Sequence, residues 1–171
     1  IISILNALGS TMERVSDFPI MINAGPEQGV ASTKATTGQL AVMSLLAYGY
    51  ANKLEEGKRN LEELAGKVND MLNPRYEERI KLLAKSLIEQ TRMMIIGKGL
   101  NYPMALEASI KLQEVGYQDA HSFAGGELKH GPLALIQKDT PCLVLVSEDE
   151  TILNNAKEVE ARGGNIIGFS P

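Results

Sequence analysis

The sequence contains one cysteine, Cys142, and no tryptophan among its 171 residues. A single thiol excludes an internal disulfide and any metal site built from several thiolates. Cys142 begins an apolar run, 142–146, where a buried and unreactive thiol is the expected state. This cysteine usage is typical of a reducing compartment, so we expect a cytoplasmic protein.

Excess positive charge and long apolar runs are also missing. Lys and Arg number 17 against 21 Asp and Glu, which gives a formal net charge of -4. That balance excludes the broad basic surface that binds nucleic acids or anionic lipids, and no apolar run approaches the roughly 20 residues needed to span a bilayer. We therefore expect neither nucleic acid nor membrane as a partner, and the 44% of hydrophobic residues indicates a globular protein with one or two small cores.

Short apolar runs alternate with helical periodicity, which predicts an α/β fold with parallel strands and right-handed crossovers. Strands are expected at 1–5, 19–22, 93–96, 142–146 and 165–169, and helices at 32–50, 58–72, 80–88, 103–117 and 150–162. Because helix 32–50 has few charges, we expect it to be buried. The charged, amphipathic helices in the middle of the chain predict a connector between two α/β units.

Three charged residues on helix 103–117 share one face. Glu107, Lys111 and Glu114 are spaced so that they form a single stripe. Such a stripe is often an exposed ion pair that contributes only about 0.2–0.5 kcal/mol. Alternatively, the ammonium adjusts the proton affinity of the carboxylate, which suits Glu114 to act as a general base toward a carbon-bound proton. Spacing alone leaves both interpretations open.

The segment 125–132 places His130 on a loop rich in glycine. Paired glycines allow positive φ angles or close backbone approach, and Gly131-Pro132 makes a rigid turn directly after the histidine. An imidazole held in this way can both accept and donate protons. The alternative is a histidine that caps a helix or faces water, and His121 has weaker claims than His130.

A third candidate lies at the start of helix 32–50, in the segment 29–34. A helix start offers backbone N–H groups that bind an anion or sugar hydroxyls, and Ser32 or Thr33 adds a hydroxyl. The same residues serve equally well as an ordinary N-cap. Gly97-Lys98-Gly99 lacks the third glycine of a dinucleotide fingerprint, so we expect no nucleotide site there.

Three blocks together resemble the isomerase region of the glutamine:fructose-6-phosphate aminotransferase family. They are 24–35, 102–114 and 126–136, in the family's order, and the last contains Glu-Leu-Lys-His-Gly-Pro-Leu-Ala-Leu-Ile. The resemblance implies a pair of sugar isomerase (SIS) domains, which are flavodoxin-like, three-layer αβα parallel sheets, here incomplete at both ends. It implies that 1–75 is the C-terminal part of the first SIS domain with a connector helix, and that 76–171 is a connector helix with the N-terminal part of the second.

The resemblance also implies a reaction, in which fructose 6-phosphate and ammonia become glucosamine 6-phosphate by aldose–ketose isomerisation. Glu114 is then the base that moves a proton between C1 and C2, and Lys111 is its neighbour. His130 opens the sugar ring and reaches the active site of the neighbouring subunit, which implies a homodimer. The segment Val30, Ala31 and Ser32 contacts the sugar. No metal or cofactor is implied.

Several positions depart from the family pattern, among them Thr36-Thr37-Gly38, Ser109-Ile110 and Gln113. Another SIS-type sugar-phosphate isomerase or deaminase, or a phosphosugar-binding module without catalysis, therefore stays open as an alternative. In the family, the phosphate-gripping loop precedes the position of Ile1, the Schiff-base lysine follows that of Pro171, and the glutaminase domain is separate. We therefore expect these 171 residues alone to be inactive.

Overall fold

The computed structural model describes residues 1–147 and 149–170, which form two compact units, one of residues 1–81 and one of the described residues from 82 onward. Both units contain parallel strands joined by helices, so the predicted α/β class is confirmed. Within the described residues, no helix is both long and apolar enough to cross a bilayer.

The first unit has a two-stranded parallel sheet of β1 (Ile2–Leu5) and β2 (Phe18–Met21). Between them lies a short helix, α1 (Thr11–Val15), which the sequence did not predict and which the Ser10 side chain caps. Three longer helices follow, α2 (Lys34–Tyr50), α3 (Leu54–Met71) and α4 (Pro74–Leu87), the last of which ends in the second unit. The proline at the start of α4 suits a position whose N–H has no helical partner.

The expectation that the helix beginning near residue 32 is buried is wrong. No residue of α2 is buried, and Met43 and Tyr50 are 57% and 94% exposed. The physical reason is that apolar residues occur on all sides of this helix, whereas within its unit it contacts mainly α3 and, to a smaller extent, β1. An open apolar pocket, lined by Ile20, Val42, Leu45, Leu46, Gly49, Tyr50 and Leu54, remains there.

The second unit has a four-stranded parallel sheet in the order β4-β3-β5-β6. Its elements are β3 (Arg92–Gly97), α5 (Asn101–Gly116), β4 (Asp119–Ala124), β5 (Pro141–Leu145), α6 (Ile152–Glu160) and β6 (Asn165–Phe169). From β3 the chain crosses to β4 on one side, and from β5 it crosses to β6 on the other. Right-handed crossovers in the two directions, the usual hand for parallel strands, place the connecting helices α5 and α6 on opposite faces of the sheet.

Side chains on the strands alternate between these two faces. Met94 and Ile96 of β3 pack with α6 in the main core of this unit, whose other members are Leu128, Ile136, Cys142, Val144, Ile152, Ala156 and Val159. Ile95 lies beside Ser122 of β4, on the face that α5 covers. The alternation gives each face of the sheet its own layer of packing.

Candidate functional site

Helix α5 carries the predicted charged row, and the structure brings its members together. Lys111 Nζ lies 2.7 Å from Glu114 Oε2 and 3.5 Å from Glu107 Oε1. The side chains are partly accessible, with exposed fractions of 25% for Lys111, 32% for Glu114 and 36% for Glu107. The predicted stripe is therefore a continuous row of ion pairs open to solvent on one side.

The hydrogen bond to Glu114 is the main reason why the pKa of Lys111 is raised above its usual value, and Glu107 adds to this effect. Lys111 is accordingly an ammonium at neutral pH. A carboxylate beside a fixed ammonium can take a proton from carbon, while the positive charge stabilises negative charge that develops on a neighbouring oxygen. This pair therefore provides the two groups that removal of a proton from a carbon next to a carbonyl requires.

The opposite side of α5 is attached to β4 by two polar contacts. Ser109 Oγ lies 3.0 Å from Ser122 Oγ, and Gln113 Nε2 donates to the carbonyl of Ala120 at 2.6 Å. Ala105 and Ser109, both small, are buried beneath the helix. These contacts fix the rotation of α5, so that its charged row faces away from the sheet. From the sequence, Ser109 and Gln113 were noted only as departures from a family pattern. Their role in attaching α5 to β4 was not predicted.

His130 ends a 3₁₀ turn, Gly125–His130, that packs on the α6 face. A Cβ at Gly125 would lie 2.6 Å from Asn155 Oδ1 of α6, so the close approach predicted for the paired glycines occurs at Gly125. Gly131, in the turn after His130, has φ +135. Lys129 pairs with Glu158 of α6 at 2.9 Å. His130 is exposed, and its imidazole makes no hydrogen bond or ion pair with residues 1–147 and 149–170. The turn is thus held firmly while its imidazole stays available.

The structure does not bring His130 to Glu114 within one chain. Leu128, from the same turn as His130, is fully buried in the core beneath α6. Glu114 is on α5, which binds the other face through Ser122. The Lys111–Glu114 pair and the 3₁₀ turn that ends at His130 therefore lie on opposite faces of one sheet.

The third candidate segment precedes α2 in the first unit. Val30 is 91% exposed, Ala31 is buried, and Ser32 Oγ lies 3.1 Å from Thr36 Oγ1. Neither Ser32 nor Thr33 caps the helix; instead Glu27 Oε1 accepts hydrogen bonds from the N–H groups of Thr33 and Ala35, at 3.1 and 2.8 Å. The sequence missed this cap, which already occupies N–H groups that we had expected to be open to a ligand.

The side chain of His121, the weaker of the two histidine candidates, is held by contacts with neighbouring residues. Its Nε2 lies 2.7 Å from Asp119 Oδ1, and its ring stacks on Phe123. Hydrogen bonds from Arg92, the larger effect, and from His121 lower the pKa of Asp119.

The loop after β3 contains Lys98, which pairs with Asp149 at 3.1 Å and donates a hydrogen bond to Thr151.

Comparison with known proteins gives consistent matches. Residues 86–170 match the SIS domain family. The chain is 38% identical over 97% of its length to glutamine–fructose-6-phosphate aminotransferase (isomerizing) of Aquifex aeolicus, and 40% identical over 99% to that of Salmonella typhi. It spans 28% and 29% of the lengths of these two relatives.

A solved structure matches as well. The C-terminal domain of glucosamine-fructose-6-phosphate aminotransferase from Francisella tularensis superimposes with a TM-score of 0.84 at 37% identity. The match covers 98% of this chain and 50% of that one. Residues 86–170 therefore belong to the SIS domain family, and nearly the whole chain is homologous to the isomerase region of glutamine–fructose-6-phosphate aminotransferases.

Proposed function

We propose that this chain is part of an isomerizing glutamine–fructose-6-phosphate aminotransferase, a transferase that makes glucosamine 6-phosphate from fructose 6-phosphate and ammonia. The observation that carries the proposal is the Lys111–Glu114 pair, with its 2.7 Å contact on an accessible helix face. This pair lies in a chain that is 38–40% identical to enzymes of that name. We infer the reaction from the sequence identity, and the geometry of the Lys111–Glu114 pair provides a base that suits this reaction.

In this reaction Glu114 takes a proton from one of the carbons C1 and C2 and returns it to the other, so that no proton is consumed overall. The electron pair left by the C–H bond is delocalised toward the neighbouring oxygen or nitrogen. The Lys111 ammonium beside Glu114 stabilises that charge. The chain's part of the chemistry needs neither a metal nor a cofactor in this scheme.

His130 opens the sugar ring in the active site of the neighbouring subunit of a homodimer. Two features support this assignment, the exposed imidazole without a partner among the described residues and the opposite placement of His130 and Glu114 on the sheet. A second copy of the chain can supply the histidine that one copy cannot bring to its own base. Val30, Ala31 and Ser32 contact the sugar in this scheme, through the exposed Val30 and the Ser32 hydroxyl.

The remaining assignments follow from homology. The division into two SIS segments at residue 75, the glutaminase domain elsewhere in the protein and a cytoplasmic location are part of the proposal. The relatives' greater length supports the additional domain, since the chain spans 28–29% of them.

The test is Glu114→Gln in the full-length protein. The amide keeps the shape of the side chain but cannot accept the proton. We expect exchange of the C1 or C2 hydrogen with solvent to be lost, while fructose 6-phosphate still binds. Retained exchange would refute the role of Glu114.

Product analysis separates the proposed enzyme from its relatives. Formation of glucosamine 6-phosphate that depends on glutamine or ammonia identifies the aminotransferase. Ammonia release from glucosamine 6-phosphate as the only activity would identify a deaminase, isomerisation without amination another isomerase, and sugar-phosphate binding without exchange a binding module.

A further inference from the structure

Glu107 is the member of the α5 row that has no role in the reaction described above. Its carboxylate lies 3.5 Å from Lys111 Nζ, one helical turn before the lysine, and its side chain is 36% exposed. Glu114 lies 2.7 Å from the same nitrogen on the other side. One ammonium therefore stands between two carboxylates.

This arrangement limits where the lysine can go. A lysine side chain is a flexible stem with three rotatable donors, so its position depends on the acceptors around it. With Glu107 present, Lys111 is drawn toward the start of the helix as well as toward Glu114. Without Glu107, Glu114 would be the ammonium's remaining carboxylate partner in this row. The ammonium would then occupy the oxygens through which Glu114 has to reach the substrate.

We propose that Glu107 is a positioning residue for proton transfer, which holds Lys111 from the far side so that Glu114 stays accessible to the substrate carbon. The inference rests on the proposed role of Glu114 and adds a third residue to it. The hydrogen bonds that join Ser109 and Gln113 with β4 support this proposal, because they fix the helix and leave only the side chains of the row free to rearrange.

The test compares three variants of the full-length enzyme, Glu107→Gln, Lys111→Met and the double variant. We expect Glu107→Gln to slow solvent exchange at the reacting carbon roughly tenfold, the scale of a small misplacement of a catalytic group. Affinity for fructose 6-phosphate should stay within about twofold of wild type, because Glu107 acts on the proton transfer and not on binding.

The double-mutant cycle asks whether Glu107 works through Lys111. In the Lys111→Met background, Glu107→Gln should have no further effect on exchange, followed over hours by NMR so that slow rates are readable. Glu160→Gln is the matched control, since Glu160 is an exposed glutamate at the end of α6 outside the row. The Glu160→Gln variant should exchange the hydrogen of the reacting carbon with solvent at the wild-type rate.

Three results would overturn the inference: wild-type exchange in Glu107→Gln, an additive effect in the cycle, or a loss of affinity as large as the loss of rate. With each of these results, the wild-type enzyme still exchanges the C1 or C2 hydrogen with solvent and the Glu114→Gln variant does not. The proposed function would therefore stand. An absence of exchange in the wild-type enzyme itself would instead overturn both proposals.

Discussion

The backbone of Gly97 lies so close to Asn101 that a Cβ on the glycine would stand 2.3 Å from the Asn101 carbonyl oxygen. Gly97 is the last residue of β3, and Asn101 is the first of α5. The chain can leave the sheet and enter the helix within this short distance only because no side chain is present. The start of the helix that carries Glu114 therefore depends on a glycine.

Gly97→Ala should destabilise the protein by about 1–3 kcal/mol, because the methyl group meets backbone that cannot rotate away. Gly168→Ala is the matched control, since Gly168 is also in a strand and a Cβ there would meet nothing within 4 Å. The control should stay within about 0.5 kcal/mol of wild type. Urea unfolding measures both changes, and equal effects would contradict the packing argument.

Cys142 makes stability fall at high pH. Burial raises the pKa of its thiol from 9.0 to about 12 in the folded protein. Above pH 9 the unfolded chain ionises this thiol while the folded chain does not, so the contribution is complete below pH 9 and is lost toward pH 12.

Between pH 8 and pH 10, wild type should therefore lose about 1.4 kcal/mol more unfolding free energy than Cys142→Ala. The comparison of the two proteins cancels the titration of groups that they share. The folded thiol should also resist alkylation at pH 8. Equal pH dependence of the two proteins would show that Cys142 is not shielded as the structure has it.

The proposal that Glu114 and His130 of different chains form one site can be tested with hybrid dimers. Inactive Glu114→Gln protein mixed with inactive His130→Ala protein should regain part of the activity, because some hybrids contain one intact pair of Glu114 and His130. Glucosamine 6-phosphate formation measures the recovery. No recovery, once subunit exchange has been verified by mass, would place His130 in its own chain's site or outside catalysis.

Local sequence patterns predicted the helix faces and strands that depend on residues close together in the chain. The helical spacing of Glu107, Lys111 and Glu114 was enough to predict their row, which the structure confirms. The β-branched and apolar runs gave β3, β5 and β6. The central strands β3 and β5 are almost entirely apolar because helices cover both faces of the sheet there.

Local sequence patterns did not predict the features that depend on residues far apart in the chain. The strand β4 was missed because Asp119, His121 and Ser122 interrupt its apolar pattern, and its place at the edge of the described sheet tolerates them. The cap from Glu27 to the start of α2 crosses six and eight residues, beyond the usual capping signatures. That His130 and Glu114 lie on opposite faces follows from strand order, which no single segment encodes.

The two small residues buried under α5 act as a spacer. Ala105 and Ser109 are 0% and 6% exposed, and their size sets how near the helix axis comes to the sheet. A larger residue at either position would lift the helix and carry the whole charged row outward with it. A displacement of about 1 Å is enough to cost a reaction a hundredfold. The distance that Glu114 reaches from the sheet is thus determined in part by two side chains buried on the sheet side of the helix.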